Sequence, residues 1–151
     1  MELMVSISIL LIISVGGVVY LNKFNDKQKL DKAQNDLISM IKMSQNYAKV
    51  KQSPVGSVES VKFVQLYKTA GGNIEAKNND AGTLYFSNKT SDVTITFNPG
   101  IFYFWGGTGR LSKDNNSTFF GPNEKANITI TFNQGVAETR VVVVNYLGGV
   151  E

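Results

Sequence analysis

The chain has 151 residues, 42% hydrophobic and 18% charged, with a formal net charge of +3 and neither His nor Cys. That length allows one domain with a modest core, and without Cys or His there is no disulfide framework, no thiolate or imidazole metal ligand and no thiol nucleophile. Enzyme is therefore the disfavoured class, and no catalytic residue, metal site or cofactor is predicted.

The first element is an apolar helix. MELMVSISILLIISVGGVVYLNKF carries one carboxylate, Glu2, and then no charge until Lys23. Leu3 to Leu21 at 1.5 Å per residue gives about 28 Å, close to the roughly 30 Å hydrocarbon core of a bilayer. A secretory signal peptide would need a positive start and a shorter apolar run. A plain anchor fits the length, but an ionised Glu at its apolar edge costs on the order of 2 to 3 kcal/mol unless paired or interfacial. The third reading is a helix that packs beside copies of itself, an acid on one meeting a positive terminus on the next. Gly16-Gly17 interrupts the run at roughly 0.8 to 1 kcal/mol per Gly relative to Ala. It marks either a weak point in the helix or a place where neighbouring helices approach closely.

Phe24 to Gln52 continues the helix in amphipathic form. Leu30, Ala33, Leu37, Ile41 and Ala48 recur at helical spacing, with Ile38 beside them and Ser44 at the intervening step. For most of these residues the favoured reading is packing on the protein's own sheet. Ser53-Pro54 is expected to end the run, because a residue before proline disfavours the α region. Up to Gln52 seven Lys face Glu2, Asp26, Asp31 and Asp36, whereas from Ser53 onward eight basic and eight acidic residues cancel. The basic excess thus belongs to the helix, and there is no basic globular face. Lys23, Lys27, Lys29 and Lys32, just past the span, would by the positive-inside rule leave the remainder in the cytoplasm.

The division predicted is 1–52 for the helix and 53–151 for a sheet domain. Val61 to Tyr67, Thr83 to Phe86, Val93 to Phe97, Ile101 to Trp105, Ile128 to Phe132 and Thr139 to Tyr146 read as short strands. Asn98-Pro99-Gly100 and Gly106-Gly107-Thr108-Gly109 read as tight reversals of an antiparallel sheet. The expected fold class is α+β, a long N-terminal helix packed on that sheet. Val93-Thr94-Ile95-Thr96-Phe97-Asn98-Pro99-Gly100 is echoed by Ile128-Thr129-Ile130-Thr131-Phe132-Asn133-Gln134-Gly135. Alternation sends Phe102 and Phe104 to one face and Tyr103 and Trp105 to the other. Tyr103, Trp105 and Arg110 are the candidates for a ligand or subunit contact; the favoured reading packs the aromatics beneath the segment from Leu111 to Ala126 or against a neighbouring subunit. The glycine run before Arg110 lacks the Lys-Ser/Thr and helix of a phosphate loop and reads as a hairpin turn. Asp114-Asn115-Asn116-Ser117 has one carboxylate and reads as a polar loop. Arg110 and Arg140 are the only arginines, too few for a phosphate track, so nucleic acid is a disfavoured partner.

Glu2-Leu3-Met4-Val5, the Ile/Leu/Val-rich run and the polar amphipathic helix resemble the N-terminus of type IV pilins and type II secretion pseudopilins. In that family a short basic leader ending in Gly precedes a mature chain beginning Phe-Thr-Leu-x-Glu-Leu, and this sequence matches from Met1 onward without the leader and the Phe-Thr-Leu. Thr108-Gly109-Arg110-Leu111-Ser112 and the closing Val141 to Val150 resemble the glycine-arginine turn and final strand of H-type pseudopilins and related minor pilins. In some relatives the last hairpin carries a DNA-contacting Gly-Arg-x-Arg; here the stretch is Leu147-Gly148-Gly149-Val150.

The resemblance implies the pilin fold, N-terminal methylation, and export against the lysine bias. It further implies residence in the inner membrane, then assembly into a homo-oligomeric helical filament outside the cell or in the periplasm with the help of pilus or secretion machinery. Met1 and Glu2 become the assembly residues. The alternatives are a minor pilin or pseudopilin of a type II secretion or DNA-uptake machine, and a membrane-anchored sheet module binding glycan or DNA through its aromatic strand.

Overall fold

The computed structural model describes residues 2–80, 82–89, 93–132 and 138–151. Helix α1 runs unbroken from Glu2 to Val50, 49 residues and about 74 Å. It is followed by strands β1 Phe63–Lys68, β2 Asn73–Asn78, β3 Leu84–Lys89, β4 Val93–Asn98, β5 Ile101–Trp105, β6 Leu111–Ser112, β7 Lys125–Phe132 and β8 Thr139–Asn145. All strand pairs are antiparallel, in a five-stranded sheet of order β3-β2-β1-β5-β6 and a three-stranded sheet of order β4-β7-β8. A long N-terminal helix on antiparallel sheet is the expected α+β arrangement.

The helical stripe becomes the core. Leu30, Leu37, Ile41 and Ala48 are fully buried against both sheets, with Ala33 and Ile38 packed at the margin. Met40 joins them. Burying each large aliphatic side chain stabilises the docking by about 1.5 to 3 kcal/mol. Ser44 lies within the stripe at no polar cost because its hydroxyl donates to Met40 O at 2.8 Å. The sheets contribute Val64 and Leu66, Phe102 and Phe104, Ile128 and Ile130, and Val142 and Val144, each pair two residues apart on one face of its strand.

Three details depart from the sequence reading. The helix ends at Val50, ahead of Ser53-Pro54, because Lys51 adopts a left-handed conformation with φ 50°. The Lys51 N–H donates to Ala48 O at 3.1 Å and the Gln52 N–H to Tyr47 O at 3.0 Å, satisfying carbonyls the helix would otherwise leave open. Secondly, Asn98-Pro99-Gly100 is not a hairpin: β4 and β5 lie in different sheets, so the segment carries the chain from one to the other. Thirdly, β2 and β6 are strands the sequence reading lacked. The two repeated segments, in contrast, are direct partners, with Val93 opposite Phe132, Ile95 opposite Ile130 and Phe97 opposite Ile128. The second repeat's turn at 133–135 lies outside the described residues.

Candidate functional site

The first half of α1 carries the assembly candidates. Among the described residues none of its apolar stretch is buried inside the chain, and the stretch is long and apolar enough to cross a membrane. Leu3 is 75% and Met4 79% exposed, and exposure stays high through Ile12 at 73% and Tyr20 at 72%. Met1 lies outside the described residues; Glu2 opens the helix, but its side-chain surroundings are outside them too. The same holds for the surroundings of Gly16. The helix is continuous through Gly16-Gly17, and a Cβ added at Gly17 would meet nothing within 4 Å.

Where the exposed half meets the docked half, one helical face turns toward the sheet. Lys23, Asp26, Lys27 and Leu30, spaced three, four and seven residues from the first, line a pocket of about 270 Å³ closed by Phe132 of β7 and Glu138 before β8. Just above it, Arg140 of β8 reaches Glu138 at 2.9 Å and Asp31 of the helix at 3.4 Å, tying the three-stranded sheet to α1. Sequence reasoning missed this pocket. The Lys-x-x-Asp-Lys spacing was a visible signal, whereas Phe132 and Glu138 arrive only through the fold.

At the far end, a glycine-rich turn clasps the helix terminus. The Gly106 N–H donates to Lys62 O at 2.7 Å and the Gly107 N–H to Ala48 O at 2.8 Å, while β5 and β6 pair on either side as a hairpin. The amide of Gln45 donates to Leu147 O at 2.7 Å and to Gly109 O at 3.4 Å, joining helix, hairpin and C-terminal loop. Gln45 was another residue the sequence did not single out, since a half-buried Gln on an amphipathic helix looks like any solvated position.

Tyr103, Trp105 and Arg110 are brought together on the sheet face opposite the helix. Tyr103 meets Phe63 edge-on at 5.3 Å, Trp105 stacks on Phe63 at 6.0 Å and meets Phe119 edge-on at 5.8 Å, and the Arg110 guanidinium lies 4.7 Å over the Phe119 ring. Trp105 and Arg110 thus pack on Phe119 of the segment after β6, and Tyr103 on Phe63 of β1. Burial raises the Tyr103 phenol above its ordinary pKa of 10.0, with smaller contributions from Asp80 and Asp114. Asp114 accepts from the Asn116 N–H at 2.9 Å and the Thr118 N–H at 3.0 Å, so its carboxylate shapes its own loop. Among the described residues no three His, Cys, Asp or Glu side chains gather where they could hold a metal ion.

A helix whose second half is buried in a sheet domain while its first half stands clear as an apolar rod is the architecture of the type IV pilins, and the chain has that fold. Among solved structures it is similar to the type IV minor pilin FimU of Pseudomonas aeruginosa, with a TM-score of 0.58 over 85% of this chain and 90% of that one. The two sequences are 14% identical, so the likeness lies in the fold. No protein-family model and no curated protein matches the chain.

Proposed function

We propose that this protein is a non-enzymatic structural subunit of a type IV pilus-like filament, held in the inner membrane before assembly and built into the filament through the exposed half of α1. The observation that carries the reading is that half-helix: an unburied apolar rod rigidly continuous with a helix that the sheet domain holds. In a filament core the rods of many copies bury one another, and asymmetric contacts that do not close into a ring extend without limit. Glu2 accepts a charge-assisted hydrogen bond from a neighbour's N-terminal ammonium, leaving neither charge alone in the apolar core. Gly16-Gly17 serves as the weak point or close-approach site between rods. The fold likeness to a minor pilin keeps a minor pilin or pseudopilin of a type II secretion or DNA-uptake machine as the alternative. The self-packing of Tyr103, Trp105 and Arg110 favours a structural role for the aromatic strand over a glycan or nucleobase platform.

The test is Glu2→Gln in cells that make the filament, read by electron microscopy of sheared fibres and by the partition of this chain between membrane and fibre. The variant should remain in the membrane at normal abundance and be depleted from fibres at least tenfold. Normal incorporation would refute the mechanism.

A further inference from the structure

The pocket at the foot of the sheet domain has a chemistry that filament assembly alone does not call for. Its helical residues begin two positions beyond Leu21, the last apolar residue of the span. With Leu3 to Leu21 in hydrocarbon, Lys23 and Asp26 stand about 3 and 8 Å past its edge, within the headgroup layer that adds roughly 5 to 8 Å to each side of a bilayer, and Lys27 and Leu30 about 9 and 14 Å, at and beyond its outer limit. Lys23, Asp26 and Lys27 make no ion pair among the described residues, and Glu138 is engaged by Arg140 through Oε1. Asp26 is half-buried and has no ion pair among the described residues. Leu30 and Phe132 supply an apolar floor. Two cations and two anions, reaching outward from headgroup depth, complement a zwitterion.

We propose that this pocket receives the headgroup of an aminoethyl phospholipid of the membrane in which the chain resides, an inference that rests on the membrane-held state proposed above. Lys23 and Lys27 donate to the phosphate, while Asp26 and the second oxygen of Glu138 accept from the primary ammonium. The glycerol end leaves on the Lys23 side, toward the hydrocarbon, and Leu30 and Phe132 wall the far side of the pocket. The volume of about 270 Å³ is on the order of nine waters of liquid, enough for the few non-hydrogen atoms of an aminoethyl phosphate. The primary amine is the discriminating feature, since a trimethylated ammonium has no N–H to donate and a glycerol headgroup has no cation.

The test uses the full chain in two arms. In the first, the protein is floated with vesicles of phosphatidylcholine alone and with vesicles containing phosphatidylethanolamine. In the second, it is released into native mass spectrometry from micelles doped with equal amounts of both lipids of matched acyl chains, and with soluble phosphoethanolamine in a parallel sample. The expected result is flotation with both vesicles and retention of phosphatidylethanolamine over phosphatidylcholine by about tenfold, the scale of one charge-assisted hydrogen bond. Asp26→Asn, which leaves the Glu138–Arg140 pair intact, should lower that ratio to about threefold, and adding Glu138→Gln should bring it to about one. Flotation with no lipid preference, or with a preference that both substitutions leave unchanged, overturns the headgroup proposal while the anchor stands. Retention of soluble phosphoethanolamine without a lipid preference, or a spectrum of lipid-free dimers, overturns it as well. Failure to float with either vesicle removes the membrane-held state, and the proposal with it.

Discussion

Gly148 is where the clasp at the top of α1 can be tested most sharply. Its φ is +82°, and a Cβ built there would lie 2.5 Å from the carbonyl oxygen of Gly109 and 2.8 Å from the Gln45 amide nitrogen. Alanine in a left-handed conformation costs about 1 to 2 kcal/mol by itself. The clash with Gly109 O is with backbone, so the C-terminal loop has to move, and that breaks the 2.7 Å bond from Gln45 to Leu147 O. Losing it adds about 0.5 to 1.5 kcal/mol, and residual crowding takes the expected total for Gly148→Ala to about 2 to 4 kcal/mol. Gly56 provides the comparison, because its φ is +84° but a Cβ there would meet nothing within 4 Å. Gly56→Ala should therefore show the backbone cost alone, about 1 to 2 kcal/mol. At about 4 to 8 °C per kcal/mol for a domain of this size, thermal unfolding of the sheet signal by circular dichroism, with the chain in mild detergent, should fall by about 10 to 25 °C for Gly148→Ala. The drop for Gly56→Ala should be about half of that or less. Equal shifts would mean that the close approach of Gly148 to Gly109 and Gln45 is not part of the folded state.

Two further outcomes follow from the same structure. Lys51→Gly removes the side chain from the left-handed residue that closes the helix, and should raise the unfolding midpoint by the equivalent of about 1 kcal/mol; an unchanged midpoint would place the helix end elsewhere. The Glu124 carboxyl is held below its ordinary pKa of 4.5, first by the Gly121 N–H and then by Lys113. A depressed carboxylate contributes order that is present above the ordinary value and is lost as pH falls through the depressed one. Trp105 touches Phe119 of the same segment, so its fluorescence should hold steady down to about pH 4.5 and change below it. Glu124→Gln should already show the altered emission near neutrality, with a flat acid limb; a titrating limb of wild-type size in that variant would assign the change to another group.

The body of the helix was legible because its two halves carry two unmistakable patterns, an uncharged run and then a stripe of period near 3.6, while its end at Val50 was set by the left-handed Lys51. Phe102 and Phe104 announced their shared face by simple alternation and are both fully buried. What the sequence concealed was pairing. Asn73-Ile-Glu-Ala-Lys-Asn78 alternates correctly, but Glu, Ala, Lys and Asn are poor strand formers, and β2 is held by its neighbours on both sides. β6, two residues long, has no local signature and exists because β5 offers it a ladder. Asn98-Pro99-Gly100 has turn chemistry, yet turn chemistry does not say whether the next strand pairs with the last or crosses to another sheet. The duplicated Thr/Ile segments held a usable clue, since Thr94 lies opposite Thr131 and Thr96 opposite Thr129, and cross-strand Thr pairs are mutually favourable. At the candidate site, the Lys23 to Leu30 face was written in the helix, but Phe132 and Glu138 could be set against it only by the three-stranded sheet.

The exposed half of α1 sets an energetic condition that any account of this protein has to meet. Fourteen large apolar side chains between Leu3 and Phe24 stand about half or more exposed. Withdrawing them from water at even 1.5 kcal/mol each amounts to about 20 kcal/mol, more than the 5 to 15 kcal/mol that holds a typical domain folded. The sheet domain cannot fold back to cover them, because the helix is continuous and its docking face begins only at Leu30. A bilayer and a bundle of like helices meet the condition almost equally, since lipid tails are as apolar as leucine. Transfer between the two is therefore nearly neutral in the hydrophobic term, and its direction must be set by the polar groups at the ends of the rod. On the reading advanced here those groups are Glu2 at one end and the Lys23, Asp26, Lys27 and Glu138 pocket at the other. A headgroup held in that pocket would favour the membrane state and have to be released on assembly, so Asp26→Asn should raise the fraction of the chain found in filaments while Glu2→Gln lowers it.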